Sequence, residues 1–401
     1  MIPKETIEKI FETVRIEEVV GEFITLKKRG VNYIGLCPFH NEKTPSFTVS
    51  PAKGIYKCFG CSAGGNSVNF VMEHEHMSYP EALRFLAKKY NIEIEEEPLS
   101  PEQIQQDNER ESLFVVSAFA QKHFTNNLFN SEEGQAIGLS YFKERGFNHD
   151  TIEKFQLGYA LDKMDGLISE ANEKGYNSDL LEKTGLIKNK DNYRFDFFRG
   201  RVIFPIHNVT GKVIAFGART LKNDKKEPKY LNSPETEIYN KSKILYGIFQ
   251  AKKTIIQNDN CFLVEGYTDV VSLFQAGIEN AVASSGTSLT TEQIRLIKRY
   301  TPNITILYDG DEAGIKASFR GIDMILEEGM NVKVLLFPDG EDPDSFSKKV
   351  STDELKKFIA GNTKDFIFFK TDILLKEAEG DTVKKAGLIK DLVHSIALIP
   401  D

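Results

Sequence analysis

Two short cysteine and histidine pairs constrain this chain more than any other feature. Cys37-Pro38-Phe39-His40 and Cys58-Phe59-Gly60-Cys61 each set two soft or borderline donors three residues apart, and 17 residues separate the pairs. Each pair fits a tight turn, and two such turns bring four ligands into the tetrahedron that Zn²⁺ accepts. With four protein ligands the site is closed, so its role is structural. Free thiols beside a surface histidine are the alternative, but chance rarely supplies both halves. A zinc-organised module is therefore expected over residues 1–96. Cys261, the remaining cysteine, lies in an apolar run, where a free thiol behaves as a small hydrophobe, and it is left out of the site.

Length and composition bound the rest. At 401 residues, 40% hydrophobic and 27% charged, the chain is too long for one ordinary core and balanced enough to fold into two or three soluble domains. No apolar run approaches the roughly 20 residues needed to cross a bilayer. The opening Met1-Ile2-Pro3-Lys4-Glu5 lacks a signal-peptide pattern, so a cytoplasmic protein without membrane contact is expected. The zinc module should close with a helix. Ser78 and Glu81 form a capping box, Pro80 sits in the first turn, and Leu83, Leu86 and Ala87 make an apolar stripe. Glu95-Glu96-Glu97-Pro98-Leu99-Ser100-Pro101 reads as exposed linker, assigned to residues 97–111, with a glutamine-rich stretch starting the next helix. A mixed α and β region follows over residues 112–255.

From residue 256 the pattern becomes regular. Apolar runs at 261–264, 281–283, 304–308 and 332–337 alternate with helical stretches, one of them capped at Thr290 with Gln293 three residues on. Strands alternating with helices imply right-handed crossovers and a parallel sheet, which binds ligands outside the carboxyl ends of its strands. Glu265, Asp309 with Asp311, and Glu341-Asp342-Pro343-Asp344 all fall at or just beyond such ends. One acid there would read as a loop residue or a helix cap. Several on one rim repel one another and bind hard divalent cations, Mg²⁺ above all, shared with substrate phosphates. Two such ions about 3.5–4 Å apart suit phosphoryl transfer.

Charge placement points to a polyanionic partner despite a net charge of -8. Residues 188–253 hold 15 Lys or Arg against 6 Asp or Glu, a local excess of +9 on an acidic chain. Arginines there are interleaved with glycine and rings in Phe195-Asp196-Phe197-Phe198-Arg199-Gly200-Arg201. Lys43, Phe47, Lys53, Tyr56, Lys57 and Phe59 surround the zinc ligands with cations and flat rings, a mixture suited to single-stranded nucleic acid.

These residues also carry a resemblance. The stretch from Cys37 to Phe47, with Lys57-Cys58-Phe59-Gly60-Cys61, resembles the zinc-binding domain of DnaG-type primases. Glu265-Gly266-Tyr267-Thr268-Asp269-Val270, Asp309-Gly310-Asp311-Glu312-Ala313-Gly314 and Asp342-Pro343-Asp344 are similar to the three acidic motifs of the TOPRIM fold. The segments 199–206 and 228–236 resemble those that hold template and nucleotide in that family. The resemblance covers nearly the whole chain in the family's order. It implies a multidomain α/β protein: an N-terminal zinc ribbon, a mixed α+β subdomain, a TOPRIM parallel sheet over 256–345, and a C-terminal helical segment over 346–401. By the same resemblance, Glu265, Asp309 and Asp311 would bind two or more catalytic Mg²⁺ or Mn²⁺ ions, with Asp269, Asp342 and Asp344 supporting them. Arg199, Arg201, Arg219, Lys229 and Lys241 would contact template or triphosphate. The implied protein is a monomer that works on single-stranded DNA, ribonucleoside triphosphates and an RNA primer. Family members usually continue into a domain that binds the replicative helicase, whereas this chain stops at Pro400-Asp401 and is expected to be a fragment.

Three competitors meet specific obstacles. A type IA topoisomerase needs a large cleavage domain with a nucleophilic tyrosine, and no segment is long enough to build it. A primase fused to a helicase needs a G-x-x-x-x-G-K-[S/T] loop, which the sequence lacks. A non-catalytic DNA-binding scaffold with a decayed TOPRIM domain would not be expected to keep every acid.

Overall fold

The computed structural model describes residues 2–75, 77, 79–94, 101–191, 193–222, 228–286, 288–309, 312–338, 340–377 and 382–400. The chain divides into two compact units, Met1–Asp107 and Asn108–Asp401.

The first unit is an antiparallel sheet of five short strands in sequence order: β1 (Lys27–Arg29), β2 (Asn32–Gly35), β3 (Phe47–Ser50), β4 (Ile55–Cys58) and β5 (Gly64–Gly65). Strand alternation sorts its side chains. Phe47 and Val49 on β3, and Tyr56 and Cys58 on β4, point into the core, while Ile55 and Lys57 face water. Helices Lys4–Thr13, Ser67–His74 and Tyr79–Lys89 close over that face with Ile10, Phe70, Leu83 and Leu86. The expected stripe on the last helix is buried as Ala82, Leu83, Leu86 and Ala87, whereas Ser78 of its expected capping box lies outside the described residues.

The expected linker is helical over much of its length. Residues 101–111, assigned to linker from sequence, belong to a 30-residue helix, Pro101–Asn130, and the division between the two units falls inside it. The cause is plain in the residues: proline is tolerated in a first turn, and neither glycine nor proline interrupts positions 102–130.

The second unit holds two sheets. One is antiparallel, in the order β11 (Tyr230–Asn232), β10 (Val213–Thr220), β9 (Arg201–His207), β6 (Gly158–Ala160), with a separate hairpin of β7 (Ile187–Lys190) and β8 (Tyr193–Asp196). The other runs β13 (Ala281–Ala283), β12 (Cys261–Val264), β14 (Asn303–Tyr308), β15 (Asn331–Leu336), β16 (Lys364–Asp365). Its first four strands are parallel, as expected, and β16 adds an antiparallel edge that makes the sheet mixed. Two charged residues carry no strand pattern, so that edge was not legible. The capped helix is present as Thr291–Lys298, with Thr290 and Gln293 exchanging backbone-to-side-chain hydrogen bonds of 3.2 and 3.1 Å. Beyond β15 the described residues include helices Pro343–Lys349, Thr352–Asn362, Phe366–Glu377 and Thr382–Ala397.

The two halves of this unit share one core. Phe142, Phe204 and Tyr246 pack with Val264, Tyr267, Val270 and Leu335 across residue 255, the boundary expected from sequence. Tyr267 lies stacked on Phe204 at 5.2 Å, and a side-chain carbon at Gly217 of β10 would fall 2.4 Å from the Tyr267 ring. Glycine is required where that ring crosses the strand.

Candidate functional site

The four expected zinc ligands meet. One ligand atom from each of Cys37, His40, Cys58 and Cys61 lies within 4.8 Å of the other three. Cys37 Sγ and Cys61 Sγ are 3.6 Å apart, and Cys58 Sγ is 3.8 Å from His40 Nδ1. Tetrahedral bonds of about 2.3 Å would separate two sulfurs by about 3.8 Å, so the set fits Zn²⁺. Backbone N–H groups of Gly60 and Cys61 donate to Cys58 Sγ at 3.3 and 3.4 Å. Burial pushes the Cys58 thiol up, but the Ser46 hydroxyl and these amides outweigh it and leave the thiol below its ordinary value. Burial pushes Cys37 the other way, well up.

Behind the ligands stands Glu42. Its Oε1 accepts from Cys37 N at 2.8 Å and Ser46 N at 3.0 Å, while its Oε2 takes the Ser46 hydroxyl and lies 3.3 Å from His40 Nε2. The carboxylate thus lies beside the ring nitrogen other than Nδ1, where its charge favours a proton on Nε2 and leaves Nδ1 free to bind a metal. A side chain at Gly60 would sit 2.6 Å from that same Nε2.

The acidic rim forms at the carboxyl ends of the parallel strands. Cys261 pairs with Ile304 and Leu263 with Ile306, so β12 and β14 end side by side, with exposed Glu265 and half-buried Asp309 immediately beyond them. Asp311 lies outside the described residues. Asp269, on the first turn of helix Tyr267–Gln275, is 7% exposed and accepts from Gly266 N at 2.9 Å. Burial first, then the charges of Asp342, Asp309 and Asp344, push its carboxyl up to about 8. These acids therefore lie close enough to Asp269 for their charges to act on it. Asp342 caps helix Pro343–Lys349 by accepting from Ser345 N at 2.6 Å. Asp344 is buried and occupied by Arg145, Ser272 and Lys348. Among the described residues, the zinc ligands are the single close set of three or more such donors.

The basic residues divide into two kinds. Lys229 is exposed beside β11, while Arg199 and Lys241 are half-buried, Arg199 lying over the Phe195 ring at 5.7 Å. Arg201 is buried at the start of β9 and donates to the Pro228 carbonyl at 3.0 Å, which ties down the loop carrying Lys229. Arg219 stands 5.2 Å from the Tyr141 ring and 5.6 Å from the Tyr230 ring.

A hydrogen-bonded chain joins this basic sheet to the acidic rim. Tyr267 donates to Asn232 Oδ1 at 2.7 Å, Asn232 Nδ2 donates to the Ser285 carbonyl at 3.2 Å, and Ser285 N donates to the Glu265 carbonyl at 3.2 Å. Sequence reasoning singled out neither Tyr141 nor Arg145, and gave Glu42 no role of its own. Arg145 meets Asp344 across 199 positions, which no local pattern announces.

Comparison with known proteins matches three successive parts of the chain to one family. Residues 2–101 match the CHC2 zinc finger, 123–252 the DNA primase catalytic core N-terminal domain, and 262–347 a Toprim-like domain. A DNA primase of Halalkalibacterium halodurans is 45% identical over 92% of this chain and 61% of its own length. The chain thus spans about three fifths of the curated relatives it matches. The zinc-binding and RNA polymerase domains of Aquifex aeolicus primase align at 35% identity and a TM-score of 0.62, covering 98% of this chain and 94% of that one. A DnaG primase catalytic domain bound to single-stranded DNA aligns at 32% identity and a TM-score of 0.66, over 73% of this chain and 92% of that one.

Proposed function

Because the chain belongs to the DnaG-type DNA primase family, we propose that it is a DNA-directed RNA polymerase that makes short RNA primers on single-stranded DNA. The reaction is nucleotidyl transfer: a ribonucleotide 3′-hydroxyl attacks the α-phosphate of the next ribonucleoside triphosphate, and pyrophosphate leaves. The observation that carries the reading is the junction just described, in which a basic sheet is hydrogen-bonded to a carboxylate rim through Tyr267, Asn232 and Ser285.

The donor set suits a hard divalent cation, Mg²⁺ or Mn²⁺. The rim consists of carboxylates whose mutual charge helps push Asp269 up to about 8, so a cation relieves repulsion that the fold has built in. Glu265, Asp309 and Asp311 would hold it, with Asp269 close behind. The chemistry supplied there is neutralisation of charge on the transferring phosphoryl group. Arg199, Lys229 and Lys241 bind phosphates of template or nucleotide, and Arg201 keeps the Lys229 loop in place. The zinc module lends its exposed face, with Phe59 76% exposed beside Lys57, to stacking on unpaired bases.

Incorporation of radiolabelled ribonucleotides on a single-stranded template, with and without divalent metal, tests this. Metal-dependent products of short RNA length are expected. A protein that binds the template and incorporates nothing would be a scaffold, and the proposal would fail.

A further inference from the structure

We propose that Asp344 is a positioning residue that holds Arg145 in place, and is not a ligand of the catalytic cations. The functional half of this inference rests on the primase reading.

Asp344 is 5% exposed on the first turn of helix Pro343–Lys349. Its Oδ1 accepts from the Ser272 hydroxyl, and its Oδ2 accepts from Arg145 Nη1 and from Lys348 Nζ at 2.8 Å. A carboxylate has about four lone-pair sites. Three are taken here, two of them by full positive charges that already neutralise the group. A divalent cation would have to displace a guanidinium and an ammonium from a buried site, or settle beside them where like charges repel strongly. Asp269 differs in kind: no cation is paired with it among the described residues, and it accepts from a backbone N–H, that of Gly266.

What Asp344 does accomplish is visible from Arg145. That guanidinium is held 5.2 Å from the Tyr141 ring, and the Arg219 guanidinium stands at the same distance from the same ring while donating to the Tyr141 hydroxyl. Burial pushes that hydroxyl up to about 12, against the pull of both arginines, so it stays neutral between them. One carboxylate therefore fixes the first arginine against a ring that fixes the second. The assembly is incomplete as it stands. Arg145 Nε and Arg219 Nε are both buried and donate to nothing among the described residues. Asp344 is paired with two cations, Arg145 and Lys348, and Arg219 adds a third across the Tyr141 ring. The ligand that completes such a site is an anion with several oxygens, and in a nucleotidyltransferase that is the triphosphate of the incoming nucleotide.

Two variants of the full chain test the assignment: Asp344→Asn and Arg145→Ala. Mn²⁺ binding is read by paramagnetic resonance, GTP binding by equilibrium titration, and KM and kcat by primer synthesis. Both variants should bind Mn²⁺ within twofold of the parent. Both should bind GTP about tenfold more weakly and show that loss in KM, with kcat changed much less. Mn²⁺ binding weakened tenfold by Asp344→Asn, or tightened by Arg145→Ala because it frees a metal ligand, would overturn the proposal. So would unchanged GTP binding in either variant. If Asp344→Asn fails to fold, Arg145→Ala carries the test alone, since it leaves Asp344 with Lys348 and Ser272. A parent protein that makes no primers would sink the primase reading, while the Mn²⁺ and GTP titrations would still decide the role of Asp344.

Discussion

Changing Glu42 to Gln removes one charge from behind the zinc ligands and leaves the ligands untouched. The amide oxygen can keep the place of Oε1, where Cys37 N and Ser46 N donate at 2.8 and 3.0 Å. The amide NH₂ then takes the place of Oε2, facing His40 Nε2 at 3.3 Å and the Ser46 hydroxyl. The hydroxyl can rotate and accept. The imidazole N–H cannot, so the loss falls on His40, the single nitrogen ligand. Losing such an outer partner typically costs 10–100-fold in metal affinity, or about 1.4–2.7 kcal/mol. Because metal binding supplies much of the folding free energy of a small zinc module, its melting temperature should fall as well. Competition with a chromophoric chelator measures the affinity directly. A Gln variant within twofold of the parent would refute the argument that Glu42 orients His40.

Three further outcomes are expected. Cys58→Ser should release zinc and unfold Met1–Asp107 while Asn108–Asp401, with cores of its own, stays folded; stoichiometric zinc in the purified variant would contradict the four-ligand site. Burial holds His207 down at about 4 against an ordinary 6.5, so within that window the unfolded chain takes up a proton that the folded one refuses. Its contribution is therefore whole above pH 6.5 and is lost as pH falls toward 4, at up to about 1.4 kcal/mol per pH unit. Urea unfolding at pH 5 and 7 should show a smaller difference in His207→Gln, and an equal difference would rule the histidine out. Replacing Arg199 and Lys229 together should reduce the slope of log affinity for single-stranded DNA against log salt by about 1.4, or about 0.7 for each phosphate released; an unchanged slope would mean that these cations face only solvent.

How much could be read in advance follows the range of each interaction. The zinc ligands and the strand–helix alternation are local patterns, and both appear in the structure where expected, down to the Thr290 cap. Glu265 and Asp309 share a rim because parallel strands must end together, which topology alone dictates. The burial and the partners of Arg201 and Asp344 were not legible, because they depend on contacts distant in sequence. Sequence could not show that the Arg201 guanidinium donates to the Pro228 carbonyl or that Asp344 is paired with Arg145. The Tyr141 site was invisible for the same reason, being assembled from residues far apart in sequence. That the helix begins as early as Pro101 was not legible, because proline at the head of a helix has the same composition signal as proline in a linker.

The most direct test of the catalytic rim is Asp309→Asn, assayed at once for primer synthesis and for its thermal response to Mg²⁺. The substitution keeps the shape and removes one charge from a crowded acidic site, so stability in EDTA should be unchanged or slightly higher. Ligand binding to the folded state stabilises it by RT ln(1 + [L]/Kd), so the rise in melting temperature on adding Mg²⁺ should shrink with the weakened site. Ribonucleotide incorporation should fall by at least about 100-fold, in line with losing a group that stabilises transition-state charge. Near-normal incorporation by the Asn variant, with the Mg²⁺ response intact, would contradict the assignment of this rim as the catalytic metal site.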